Sequence, residues 1–530
     1  MRPEEERRCA GLSPFELKHK LVQLATDRGE RMMLNAGRGN PNWVALEPRH
    51  AWLELGLFAM AESERAALAP GFGGAPRRPG MSGRFADFVG ARRGVPGIEL
   101  LEKGVAYARD RLDIEPDALL DEFAGAVLGD HYPYPMRMLA HAERIVAAFL
   151  ADALFAGAPP AGRLELFAVE GATAAITYIF GSLAQAGLLE KGDRIALGTP
   201  IFTPYLEVPK LSDYELTELE VIQDEALNWQ YPDTELDKLL DPGIKAFFLV
   251  NPSNPTSVAL DARSAARIGE IVRSARPDLV IITDDVYATF ADGFRTIAAA
   301  APQNTILVYS WSKFWGATGW RLGVIGLHED NAFDRRIAAL PEAVRARHRR
   351  RYGSIALQPE RLKLIDRMVA DSRAVGLNHT AGLSSPQQAQ MALFALHWLL
   401  DAERGYQRAA KEIVRRRFEK LCAHAGIPAP RDPHFVYYYA TLDIPALAGV
   451  RYGEAFARWL TAEHEPIDFV VRLAEEKSVV LMDGGGFEAP RMSVRVSLAN
   501  LPDEAYARIG EAIGELLADY HREWKARSGN

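Results

Sequence analysis

Three polar residues placed one βα unit apart constrain this chain more than any other feature. Asn254, Asp284 and Lys313 stand 30 and 29 residues apart. Each closely follows a short apolar run rich in β-branched or aromatic residues: KAFFLVNPSNP (245–255), LVIITDDVY (279–287) and ILVYSWSK (306–313). A fourth run, RIALGTP (194–200), has the same texture. Stretches of helical spacing separate the runs from about residue 140 to 325. This alternation predicts βα units on a mostly parallel sheet, whose ligands gather past the C-terminal strand ends.

The remainder reads as helical framing plus a second, smaller unit. Residues 14–30 have helical spacing and lead into a Gly-rich loop, Asn35-Ala-Gly-Arg-Gly-Asn-Pro-Asn-Trp43. Residues 46–128 are mostly helical, with a Gly/Pro/Arg break at 71–97. Residues 330–380 are helical and carry the basic cluster Arg345–Arg351. Helices follow over about 386–425, then strands in HFVYYYATLD (434–443), SVVLMDG (478–484) and RMSVRVSLAN (491–500), then an amphipathic helix over 502–524. The expected α/β architecture is a large domain with a mostly parallel central sheet flanked by helices, and a smaller α+β domain built from both chain ends. The expected divisions are an arm at 1–45, a helical insertion at 46–130, the large domain at 131–395 with its own insertion at 330–380, and the small domain at 396–530. A length of 530 residues suits such a multi-unit chain.

Composition excludes more than it identifies. With 62 Lys+Arg against 70 Asp+Glu, the net charge of −8 gives no general attraction to nucleic acid. Two cysteines, Cys9 and Cys422, make neither a disulfide framework nor a zinc site, and no metal is expected. There is no apolar run of membrane-spanning length and no signal-peptide core, so a cytoplasmic protein is expected.

The chemistry-bearing residues sit past the strand runs. Lys313, in Ser310-Trp-Ser-Lys313-Phe-Trp-Gly-Ala-Thr-Gly-Trp-Arg321-Leu-Gly323, suits an amine that attacks a carbonyl once desolvated. Arg321 offers a fork of donors to a phosphate, and the Ser310 hydroxyl can join it. A lysine at a strand end is also, by itself, unremarkable. Asp284 suits a pyridinium partner and Tyr287 a donor to a phenolate oxygen. Asp284 and Asp285 equally suit helix capping, and one of the two is expected to do only that. Asn254, in Asn251-Pro-Ser-Asn254-Pro, can donate to a ring oxygen or belong to a plain turn. Gly171, Ala172 and Thr173 open a helix-forming run, which makes a phosphate cradle from backbone N–H groups and a hydroxyl. Phe202 follows another strand end and suits either stacking on a flat ligand or the core. Taken singly each reading is weak; their shared order and placement are not.

At this point the chain resembles the fold-type I pyridoxal-phosphate enzymes of the aspartate aminotransferase family, over about residues 130–500. The resemblance implies pyridoxal 5'-phosphate as cofactor, with Lys313 as its covalent partner and Asp284 against the pyridine nitrogen. It further implies that Asn254 and Tyr287 hold the ring hydroxyl and Phe202 stacks on the ring. Ser310, Arg321, Gly171, Ala172 and Thr173 would bind phosphate. Arg495, in Val494-Arg-Val-Ser, matches the clamp for the substrate α-carboxylate. Tyr132 (or Tyr134) matches the tyrosine that reaches the phosphate of a neighbouring subunit. Phe202 stands where many relatives have Trp or Tyr, and Ser257 where Gly is usual.

Two features narrow the resemblance. The chain is longer than an ordinary aminotransferase of this fold, mainly at 46–130 and 330–380. Its loop places Arg38 before Gly39, where an arginine can face a second carboxylate or point to solvent or a subunit contact. With the Gly484-Gly-Gly486-Phe487 loop, these features are similar to the aspartate 4-decarboxylase (L-aspartate β-decarboxylase) branch. That similarity implies conversion of L-aspartate to L-alanine and CO2 by way of a ketimine, side aminotransferase activity with a 2-oxo acid, and a homo-oligomer, at least a dimer and up to a dodecamer. The rival readings are a plain aspartate or aromatic aminotransferase, and a non-catalytic regulator that uses this fold. Against the regulator, residues 1–45 are too few for a winged helix.

Overall fold

β-Branched and aromatic side chains pack well on a pleated surface, and the apolar runs accordingly become strands. The computed structural model describes residues 3–27, 33–133, 137–211, 217–377 and 381–528. In chain order the strands are β1 (Leu34–Asn35), β2 (Leu164–Val169), β3 (Arg194–Thr199), β4 (Thr217–Ile222), β5 (Ile244–Val250), β6 (Val280–Asp284), β7 (Thr305–Ser310), β8 (Gly323–His328), β9 (Tyr439–Asp443), β10 (Val479–Val480), β11 (Met482–Asp483) and β12 (Ser493–Ser497). Seven of them form one sheet in the order β2-β8-β7-β6-β5-β3-β4. β3, β4, β5, β6 and β7 pair parallel with their neighbours. β8 runs antiparallel between β2 and β7. The mostly parallel sheet expected from the alternation is therefore present, with one reversed strand.

Three strands of this sheet carry no long apolar run and escape the sequence pattern. β4 reads TELEVI and lies at a sheet edge with only Val221 buried, so it needs few apolar residues. β8 reads GVIGLH, and its glycines weaken the strand signal. β2 reads LELFAV, short and broken by Glu165. The run SVVLMDG is not one strand. It divides at Leu481 between β10, which pairs parallel with β1, and β11, which joins the antiparallel sheet β11-β12-β9. Both chain ends thus enter the same region, beside the packed helices Gly405–Ala425 and Asp503–Ser528.

The helix Ser385–Leu400 organises the added helices. Its sequence, SPQQAQMALFALHWLL, is apolar around most of its circumference, which suits a helix buried on all sides. It packs on Glu47–Arg65, Ile98–Leu112, Pro116–Leu128 and Ala140–Phe155. Aromatic rings from these elements meet under the turn after β7. Phe149 contacts Tyr309, Trp311, Trp315 and Trp398. Trp315 stacks on Tyr406, whose hydroxyl donates to the Phe314 carbonyl at 3.0 Å. The backbone on either side of Lys313 is therefore held by packing on one side and a side-chain hydrogen bond on the other. Among the described residues no helix is long and apolar enough to cross a membrane, and no cluster of His, Cys, Asp and Glu is arranged to hold a metal ion.

Removing the central ring of this cluster tests its bracing role. Phe149→Ala is expected to cost about 3–5 kcal/mol of stability, read as a lower denaturant midpoint. An unmoved midpoint shows that the turn after β7 is held some other way.

Candidate active site

Parallel pairing puts the ends of β3, β5, β6 and β7 on one edge of the sheet, and a cleft opens there. Phe202, Asn254, Asp284, Tyr287, Ser310 and Lys313 line it, with Ala172, Thr173 and Arg321 at one end. Gly171 sits just behind. Tyr205, Ser312 and Thr318 also line it and were not singled out by the sequence pattern.

One end of the cleft is an anion cradle. Gly171, at φ 88°, precedes the helix Ala172–Gln185 and turns its first N–H groups toward the cleft. A Cβ on Gly171 would lie 2.5 Å from Arg321 Nη2, and one on Gly323 would lie 2.7 Å from the Gly171 Cα, so both positions demand glycine. Arg321 is fixed by donating to the Thr318 carbonyl at 2.9 Å and the Glu170 carbonyl at 3.1 Å. The Ser310 and Ser312 hydroxyls lie 2.9 Å apart beside it. A helix N-terminus, a guanidinium and hydroxyls in one place suit a phosphate.

The middle of the cleft holds a carboxylate and two phenols. Asp284 ends β6; its Oδ2 accepts from the Tyr205 hydroxyl at 2.6 Å and its Oδ1 from the Val286 N–H at 3.2 Å. Burial pushes the Asp284 carboxyl up to about 6, against the pull of these hydrogen bonds and the Lys313 charge. Strand alternation turns Asp285 away from the cleft, where it accepts from the Thr283 hydroxyl at 2.5 Å. The Tyr287 hydroxyl lies 3.0 Å from that of Tyr439, and the Asn254 amide approaches it at 3.5 Å. Burial raises the Tyr287 phenol well above its ordinary value, so it stays protonated.

The far end is built by the chain termini. Lys313 Nζ donates to the Gly39 carbonyl at 3.2 Å, and the Tyr438 hydroxyl donates to the same oxygen at 2.8 Å. A Cβ on Gly39 would lie 2.5 Å from the Tyr439 hydroxyl and 3.3 Å from Lys313 Nζ, so glycine permits this close approach. Arg495 on β12 donates to Asn254 Oδ1 at 3.1 Å and to the Gly37 carbonyl at 3.0 Å. Its guanidinium lies between the rings of Tyr439 and Phe487, with centroids at 4.3 and 4.7 Å. Arg495 Nε is buried without a hydrogen-bond partner, a donor left over for a ligand. Lys18, on the helix Pro14–Asp27, is pulled below the ordinary ammonium range by burial and then by the charges of Arg38 and Arg495. The Arg38 side chain is exposed, while the residues on either side of it touch Arg495 and Lys313 through their carbonyls. Tyr132 is 70% exposed and stands apart from this cleft; Tyr134 lies outside the described residues.

The donor set fits pyridoxal phosphate group by group: an amine for its aldehyde, a carboxylate for its ring nitrogen, Tyr287 and Asn254 for its hydroxyl, and the cradle for its phosphate. Comparison with known proteins agrees. The profile of the family Aminotransferase class I and II matches residues 163–513. A Pseudomonas sp. protein named bifunctional aspartate aminotransferase and L-aspartate beta-decarboxylase is 47% identical over 525 residues, 99% of each chain. Among solved structures, the aspartate aminotransferase from Rhizobium meliloti superposes with a TM-score of 0.60 at 17% identity, covering 96% of each chain. The Thermus thermophilus aspartate aminotransferase with maleate gives 0.57 at 16% identity, covering 95% of this chain and 96% of that one. These structural likenesses speak for the fold.

Borohydride treatment of the cofactor-loaded protein is expected to link the cofactor to Lys313, seen as a mass increase on the peptide that contains it. In Lys313→Ala the linkage is expected to vanish. Linkage to another lysine contradicts the assignment.

Proposed function

The chain belongs to the aminotransferase class I and II family, whose enzymes depend on pyridoxal phosphate, and from that premise we propose that it removes the β-carboxylate of L-aspartate. The products are L-alanine and CO2, and a side reaction passes the amino group of aspartate to a 2-oxo acid. The observation that carries this reading is Arg495, buried beside the Gly37–Gly39 loop with its Nε donor unused, where its charge and that of Arg38 both act on Lys18. A substrate with one carboxylate meets Arg495 alone; the second carboxylate of a dicarboxylate would also meet the positive charge around Lys18. The near-full-length similarity to a relative of that name supports the same reading.

Bound in the cleft, pyridoxal phosphate supplies a carbonyl for the substrate amine and a ring that draws electrons from the bonds being broken. The protein's own work is to place charges and move protons. Arg495 takes the α-carboxylate, using the free Nε–H and one Nη in a fork. Lys313 removes the proton at Cα as general base and returns it later. Asp284 holds a proton at the ring nitrogen. Tyr287 and Asn254 would keep the ring oriented, and Phe202 would pack on it. Arg38, exposed, and Lys18, more enclosed, orient the β-carboxylate before it leaves. Tyr438, Tyr439 and Phe487 exclude water, which would divert the reaction to oxaloacetate.

We further propose a cytoplasmic homo-oligomer, at least a dimer and up to a dodecamer. Leu46, Leu53, Leu57 and Met60 repeat at heptad spacing along Glu47–Arg65 and are each half or more exposed. Such a stripe asks for a partner surface, and the role proposed for Tyr132, 70% exposed, is at a neighbouring subunit's phosphate. The divisions 1–45, 46–130, 131–395 and 396–530 stand as the proposed domain limits.

Protein, cofactor and L-aspartate without any 2-oxo acid are expected to yield CO2 and alanine in equal amounts over many turnovers. Turnover only after a 2-oxo acid is added, with oxaloacetate as product, indicates a plain aspartate aminotransferase. Arg38→Ala is expected to slow decarboxylation about 10- to 100-fold, the worth of one charged hydrogen bond, while amino transfer from alanine, which has no β-carboxylate, is kept. Equal loss of both contradicts the role given to Arg38. Leu53→Glu with Leu57→Glu is expected to lower the mass in light scattering; an unchanged mass places the contact elsewhere.

A further inference from the structure

Tyr205 has no place in the account above, yet it makes the shortest contact to the carboxylate at the centre of the cleft. Its hydroxyl donates to Asp284 Oδ2 at 2.6 Å, and both side chains are buried. The phenol does not move freely. The Tyr205 N–H donates to the Phe202 carbonyl at 2.8 Å, and its ring packs at 4.9 Å from Phe248 and edge-on at 5.3 Å from Phe202. Thr173 and the Arg321 charge, both from the phosphate cradle, partly offset the rise of this phenol. One side chain therefore lies between the phosphate cradle and the carboxylate in the middle of the cleft.

We propose that Tyr205 is a positioning residue that keeps Asp284 ionised in the empty cleft, and so sets the pH range over which the protein takes up pyridoxal phosphate. This rests on the reading that Asp284 receives the ring nitrogen. The physical reason is the cost of burying a carboxylate. Without a donor, Asp284 in this enclosure keeps its proton, and a protonated acid cannot pair with a protonated ring nitrogen without first losing that proton. The groups that act on Asp284 are few. Tyr205 and the Val286 N–H donate to it and Lys313 attracts its charge, while Asp285, turned away from the cleft, has its own carboxyl pushed up to about 7 by burial and, to a lesser degree, by the charge of Asp284. Among the described residues no histidine lines the cleft. Tyr205 is itself raised well above 10 by burial and by the charge of Asp284, so it remains a donor wherever Asp284 titrates.

The test is a titration of apoprotein with pyridoxal phosphate at a series of pH values between about 5 and 8.5, followed by tryptophan fluorescence. The unmodified protein is expected to show a flat Kd above about 6, where Asp284 is ionised, and weakening below it. In Tyr205→Phe the onset of weakening is expected about one to two pH units higher, the worth of one hydrogen bond to a charge. In Asp284→Asn this step is expected to be missing. The phosphate's own ionisation contributes equally to all three proteins and cancels in the comparison. An onset unmoved in a folded Tyr205→Phe, checked by circular dichroism, overturns the proposal. Should that variant not fold, infrared spectra of the unmodified apoprotein decide: a protonated Asp284 band, identified by its loss in Asp284→Asn, is expected only below neutral pH, and its persistence at pH 8 overturns the proposal. No uptake of pyridoxal phosphate at any pH by the unmodified protein overturns the underlying assignment of the cofactor instead.

Discussion

Parallel hydrogen bonding between adjacent strands is the constraint from which the rest follows. β5 pairs with β6, and β6 with β7, so that Val250 lies beside Asp284 and Asp284 beside Val308. With the three strands in that register, the first residues beyond them emerge on one edge, and Asn254, Tyr287 and Lys313 have nowhere else to go. β3 joins through β5 and delivers Phe202 and Tyr205 to the same edge. The reversed β8 completes the set from the other direction: because it runs antiparallel to β7, it is its entry, not its exit, that brings Arg321 to the cleft. A cofactor site made of residues spread over about 150 positions is thus a consequence of one sheet.

The second constraint is the contact between this edge and the small antiparallel sheet. Arg495 is the hinge of that contact. It is buried, its charge is disfavoured by that burial, and it persists because Asn254, the Gly37 carbonyl and two aromatic faces surround it. A charge held this way is costly when alone and well suited to pairing with a carboxylate. The N-terminal arm is drawn in by the same contacts. β1 pairs with β10, Pro14 lies against Gly486, and the arm thereby brings the Gly37 and Gly39 carbonyls to Arg495 and Lys313.

Much of this was legible in the residues, and the remainder was hidden for identifiable reasons. The spacing of Asn254, Asp284 and Lys313 and the apolar runs before them gave the sheet and its active edge. The choice between Asp284 and Asp285 needed strand parity, which the sequence leaves open because both flank the strand end; the structure points Asp284 into the cleft. Tyr205 was not singled out because its hydroxyl partner lies 79 residues away. Nothing in the sequence singles out Lys18, and only the packing of its helix beside the small sheet gives it its setting. β4 and β8 were hidden because an edge position and glycines both weaken the apolar signal. Arg38 was visible as an unusual residue before Gly39, but its exposed side chain shows that position alone does not decide what it touches.

The account stands on the claim that this cleft is built for a substrate with two carboxylates. A crystal structure of the protein with pyridoxal phosphate and succinate, an unreactive dicarboxylate, tests it most directly. The expected result is one carboxylate forked on Arg495 and the other within hydrogen-bonding distance of Arg38 or Lys18. Succinate bound through Arg495 alone, with its second carboxylate in solvent and both other cations turned away, contradicts the claim.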